Sequence, residues 1–220
     1  MKLKAFTLAE ALITMTILGV VAALTVPPLL NTYMHRVCAD QLKRVVGEIN
    51  TAASTVITEE NAAEAANEDA PDAQPGFYVT RAGSRTSNQN EGAQYFLNNF
   101  IRHNIAGREL TFVNQYKNSA GREIGTIPLD YTDCVQTQTN ASICMHYNDA
   151  SNLQRIFVDV NGKQRPNVIG VDLFVMQITN TGSVADITPA NANNCGIGND
   201  VTTATSGCLQ RVIDNGWRIE

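Results

Sequence analysis

Hydrophobic positions fall into two periodic patterns along the chain. Residues 11–30, ALITMTILGVVAALTVPPLL, carry no charge, and about 20 such residues wound as a helix span a bilayer core. Lys2 and Lys4 precede the run, which predicts a cytoplasmic start and a translocated remainder. Beyond it, Cys38, Leu42, Val45, Ile49, Ala52 and Val56 recur at steps of four and three, a helical seam of nearly heptad period. Arg36, Asp40, Lys43, Arg44 and Glu48 lie largely off that seam. The pattern predicts one helix over 6–58, membrane-spanning over about 9–30 and a stem over 31–58, about 78 Å long at ~1.5 Å per residue. Pro27 and Pro28 remove backbone donors within it and predict a kink or local melting. Gly19 and Gly47 are further weak points.

The later half changes period. Residues 142–147, 153–160 and 171–179 are rich in β-branched and aromatic residues and predict strands, with Asn161-Gly162 as a hairpin-turn signal. Phe96, Leu97, Phe100, Ile101 and Ile105 suit one face of a short helix over 93–105. Residues 59–92 read as a linker. Six acids, Glu59, Glu60, Glu64, Glu68, Asp69 and Asp72, occur there with no base before Arg81, followed by the polar stretch RAGSRTSNQNEG at 81–92. This order predicts an α+β fold: a long N-terminal transmembrane-and-stem helix packed on a small antiparallel β-sheet head over 93–220.

Composition narrows the function. Charged residues make up 17% of the 220, and the net charge is −5, so the basic footprint of a nucleic-acid binder is missing and no nucleic-acid partner is indicated. Of five cysteines, Cys134, Cys144, Cys195 and Cys208 form two short-range pairs and Cys38 stands alone. Behind a membrane or export signal, such a pattern predicts disulfides. Local pairing is preferred, although four cysteines allow three connectivities. Cys38 reads as a buried small hydrophobe or as a thiol that pairs with another chain.

Glu10 is the informative exception. It sits just inside the apolar run, where a carboxylate costs about 2.5–3.5 kcal/mol and usually has a partner. Three readings compete. A secretory signal peptide would be cut after Val21-Ala22-Ala23, but the apolar run continues to Leu30. A plain membrane anchor leaves Glu10 unexplained. The third reading starts from Phe6-Thr7-Leu8-Ala9-Glu10, which resembles the cleavage and methylation motif of type IV prepilins and pseudopilins. The resemblance implies cutting by prepilin peptidase between Ala5 and Phe6, removal of leader residues 1–5, and N-methylation of Phe6. It also implies pairing of Glu10 with the N-terminal amine of a neighbouring subunit. One departure is Ala5, where the family usually has glycine. Pro27 matches a proline frequent at this point in pilin-like helices.

In the head, Asp159, Asn161 and Asp172 offer oxygen ligands around a turn. The loop is not an EF-hand, since Gly170 stands where the bidentate glutamate would be. Two readings remain: a structural calcium site, or a hairpin whose Asp and Asn side chains cap the turn. The stretch Asp159-Val160-Asn161-Gly162 with Pro166-Asn167 and Gly170-Val171-Asp172 resembles a recurrent head pattern of pseudopilin-like proteins. The ending through Trp217 resembles the family's C-terminal helix or strand closing on an aromatic, with Trp217 packing rather than binding.

His35, His103 and His146 have no nucleophile or metal motif beside them, and no phosphate loop or paired-carboxylate signature appears. The expectation is therefore not an enzyme but a structural subunit of a type IV pilus or type II secretion filament. By the resemblance, it would sit in a bacterial inner membrane with a cytoplasmic N-terminus and a periplasmic or extracellular head, then enter the filament. Its partners would be prepilin peptidase, other pilin or pseudopilin subunits, the inner-membrane assembly platform and membrane lipid. The alternative is an anchored binding module, such as an adhesin-like minor pilin, with the polar loops as recognition surfaces.

Overall fold

A computed structural model of the chain describes residues 7–65, 108–109, 115–128, 133–137, 139–148, 153–179 and 182–219. The Ala5–Phe6 junction, the polar stretch 81–92 and the short helix expected over 93–105 lie outside them. Helix α1 runs from Leu8 to Ala65, about 87 Å at ~1.5 Å per residue. Among the described residues it is the one helix long and apolar enough to cross a membrane, and its apolar window has no buried share. Burial begins at Cys38. From there Leu42, Val45, Ile49 and Ala52 are buried as the seam requires, joined by Ala39, Val46 and Ala53, which widens the stripe to that of a core-facing helix.

Two features differ from expectation. The local melting expected at Pro27 and Pro28 does not occur, because both lie inside one continuous α-helical run. Proline's fixed φ is itself helical, and what is lost is the two donors. The helix also passes residue 58 and takes in Glu59 to Ala65, a segment of alanine and glutamate with high helix propensity.

The head is an antiparallel sheet. Strands β1 (Arg108–Glu109), β4 (Asp133–Gln136), β5 (Ser142–Asn148), β6 (Leu153–Asp159), β7 (Leu173–Ile178) and β8 (Val184–Ala185) lie in the order β1-β4-β5-β6-β7-β8. Strands β2 (Tyr116–Lys117) and β3 (Glu123–Gly125) form a separate ribbon. The sheet thus grows by adjacent antiparallel pairing, with Phe157 facing both Cys144 and Val175 across its neighbours. The fold is α+β, a long helix on a small antiparallel head.

Strand β7 is buried at five of its six positions, all but Gln177, where a half-exposed antiparallel strand would alternate. Both faces are therefore covered. The helix seam belongs to the same core cluster as Ile156, Val158, Phe174 and Met176. Against β7 also pack the short helices α2 (Val201–Thr205) and α3 (Cys208–Asp214). Asp200 caps α2, its carboxylate accepting from the Thr203 amide at 2.8 Å and hydroxyl at 2.6 Å. The edge is tied to the stem where the Val184 amide donates to Asn50 Oδ1 at 2.6 Å.

Disulfides close both local loops: Cys134–Cys144 joins directly opposed residues of β4 and β5, and Cys195–Cys208 ties the start of α3 to residues 189–194, a 3-10 turn. Gly170 is required beside the second bridge. Its φ is +78°, and a Cβ there would lie 2.5 Å from Cys195 Sγ. The Asn161-Gly162 turn forms, with Gly162 at φ +63°, but it opens a long connection over 160–172 rather than a tight hairpin. Lys117 straps that connection to β2, donating its amide to Asn167 O and accepting from the Ile169 amide, each at 2.9 Å.

Candidate functional site

At its start α1 is closed by a reciprocal pair. The Glu10 amide donates to Thr7 Oγ1 at 3.3 Å, while Glu10 Oε2 accepts from the Thr7 amide at 3.0 Å and hydroxyl at 2.9 Å. This is a capping box, Thr-x-x-Glu, satisfying two donors that the first turn leaves unpaired. Glu10 also lies at the positive end of the helix dipole. The pattern Thr7-Leu8-Ala9-Glu10 stands in the sequence, so the box was legible there. It gives the carboxylate an intrachain partner, independent of any neighbour. The side chains around it, Leu8, Leu12, Ile13 and Met15, are all exposed, so this end presents a bare apolar surface with one carboxylate on it.

At the other end of the molecule the residues 159, 161 and 172 come together as the sequence reading expected. Asp159 and Asp172 are 1% and 0% exposed and Asn161 is 4% exposed. Asp172 accepts from the amides of Asn167 at 2.5 Å and Val168 at 2.7 Å. Asp159 accepts from the Tyr116 hydroxyl at 2.6 Å and the Asn161 amide at 3.3 Å. The turn-capping arrangement is therefore present. Burial pushes Asp172 up to about 7, against the hydrogen bonds its carboxylate accepts from Asn167, Val168 and Asn161. Burial, and then the charge of Asp172, raises Asp159 well above its ordinary value. Tyr116 is raised by burial and by Asp159.

Among the described residues two buried oxygens in this loop meet no donor: Asn161 Oδ1 and Asn167 Oδ1. Asn161 Nδ2 makes only long bonds, 3.3 Å to Arg165 O and 3.4 Å to Asp172 Oδ2. A half-turn of that amide would bring three oxygens together. Two carboxylates with amide and carbonyl oxygens form a hard donor set suited to calcium. Among the described residues no group of three or more His, Cys, Asp or Glu gathers anywhere, so carboxylates alone do not make the site. Tyr116 was missing from the sequence reading, and Asn167 stood in it only as part of the Pro166-Asn167 head pattern, without a role at this site. Tyr116 is 43 residues from Asp159, and no local pattern announces such a contact.

Cys38 is fully buried on the helix seam. Burial, then Asp172 and Asp159, push its thiol up to about 12, so it stays a neutral packing group. Trp217 packs half-buried against the core after α3. Comparison with known protein families, with characterised proteins and with solved structures finds no match to this chain.

Proposed function

We propose that the chain is a structural subunit of a filament of the type IV pilus or type II secretion kind, assembled through α1. The observation that supports this reading is the pairing of an apolar, unburied helix surface with a carboxylate at its very start. The leader 1–5 is removed by prepilin peptidase before Phe6, and Phe6 is methylated. The N-terminus begins on the cytoplasmic side of a bacterial inner membrane and the head lies outside it. On entry into the filament, the Glu10 carboxylate exchanges Thr7 for the amine of a neighbour, where opposite charges attract strongly in a low dielectric.

The capping box makes Glu10→Gln the decisive variant. Glutamine can serve the box as an acceptor but cannot pair as an anion. Glu10→Gln should insert and be processed normally yet yield no filaments in pellets of sheared cells. Filaments at normal yield would contradict the charge pairing and leave Glu10 as a cap.

A second reading, an anchored binding module, is favoured by one feature of the head. Phe157, Val175, Ile187 and Ile197 floor a cavity of about 430 Å³ with Arg155 and Ser206 among its walls, within the range of small-molecule sites. In either reading, calcium at Asp159, Asn161 and Asp172 would lock the loop 160–172. The expected result is a melting temperature that rises with millimolar calcium and falls with chelator. Identical melting in both would exclude the site.

A further inference from the structure

Where α1 leaves its apolar run, the C-terminal turn folds back against the helix. His35, Arg36 and Asp40 of α1, with Trp217 and Arg218 after α3, surround a hollow of about 720 Å³. Arg36 follows Leu30, the end of the apolar run, by about 9 Å at ~1.5 Å per residue; with α1 read as spanning, that places the hollow close to the outer boundary of a headgroup layer ~5–8 Å thick on each side of the core. Trp217, half-buried, lines the hollow, and Tyr33, exposed, neighbours its lining residue Thr32 in the chain; aromatic rings of this kind are enriched at membrane–water interfaces.

We propose that this hollow seats the phosphate of an anionic phospholipid from the leaflet facing the head. The proposal rests on the membrane-spanning reading of α1. Arg36 and Arg218 are both exposed, and among the described residues neither forms an ion pair. Among the described residues the lining thus holds two arginines and one carboxylate, Asp40, and a guanidinium fork can hold phosphate through two parallel hydrogen bonds. The acyl chains would lie along the exposed Leu29 and Leu30, which precede Thr32, the first residue of α1 to line the hollow. A lipid held at both ends in this way fixes the depth of the helix and orients the underside of the head against the bilayer.

The chain has one tryptophan, Trp217, so its fluorescence reports this hollow alone. The full chain would be reconstituted in phosphatidylcholine vesicles containing either phosphatidylglycerol or phosphatidylcholine with brominated acyl chains. Each basic residue near an anionic surface gives a preference on the order of fivefold. Brominated phosphatidylglycerol should therefore quench Trp217 at about one-fifth or less of the mole fraction that brominated phosphatidylcholine needs. The double variant Arg36→Gln/Arg218→Gln should lose that preference while its head melts unchanged. Inorganic phosphate at constant ionic strength should leave it intact. Equal quenching by the two lipids, or an unaltered preference in the double variant, would overturn the proposal. Loss of the preference on adding phosphate would assign the hollow to free anions instead. Release of the chain by alkaline carbonate would overturn the membrane reading beneath it, whereas equal quenching of a carbonate-resistant chain overturns the headgroup site alone.

Discussion

Asp172 and Asp159 share a fully buried pocket with Tyr116, and the Cys38 thiol feels both charges. An aspartate whose folded-state value is raised stabilises the fold only while it is protonated. For Asp172 that contribution is whole below its ordinary value of 3.8 and is lost as pH rises through about 7. With divalent cations chelated, thermal melting should therefore drop between pH 4 and pH 7. Asp172→Asn should flatten that slope even though it weakens one amide bond; an unchanged slope would show that Asp172 is ionised throughout. The sequence named Asp159, Asn161 and Asp172 because they cluster around one turn. It was silent on Tyr116, which arrives from a different ribbon, and it gave Asn167 no role at the site, since the left-handed φ of 56° is displayed only in the folded loop. The Thr7–Glu10 box is legible as Thr-x-x-Glu, its two residues three apart at the start of the apolar run.

Among the elements, those with strong periodicity were the legible ones. The seam from Cys38 to Ala52 and the strands β5, β6 and β7 follow period-four-and-three or strand-like composition over five residues or more, and each formed close to its expected bounds. Strands β1, β2 and β8 have two residues apiece, too short to carry any period, and were invisible. The helix end moved because alanine and glutamate continue a helix as readily as they fill a linker. The two halves of α1 should respond oppositely to the same kind of change. Ile49→Ala removes a fully buried side chain and should lower head stability by about 2–5 kcal/mol in denaturant unfolding. Leu18→Ala, on the exposed half, should leave the head's midpoint within about 0.5 kcal/mol of the parent. Equal losses would mean that the apolar half also packs on the head.

As a whole, the molecule is divided into a finished end and an unfinished one. The head closes its own core, ties it with two disulfides and satisfies the buried carboxylates internally. Residues 8–30 leave leucine, isoleucine, valine and methionine side chains bare, a surface that needs lipid or other helices around it. The proposed filament subunit requires this division and a chain that begins at Phe6. The most direct test is the intact mass and first residue of the protein taken from its native membranes. A chain that starts at N-methylated Phe6 is the predicted result. A chain that starts at Leu24, after Val21-Ala22-Ala23, would contradict it, since such a cut discards Glu10 and most of the apolar helix and releases the head.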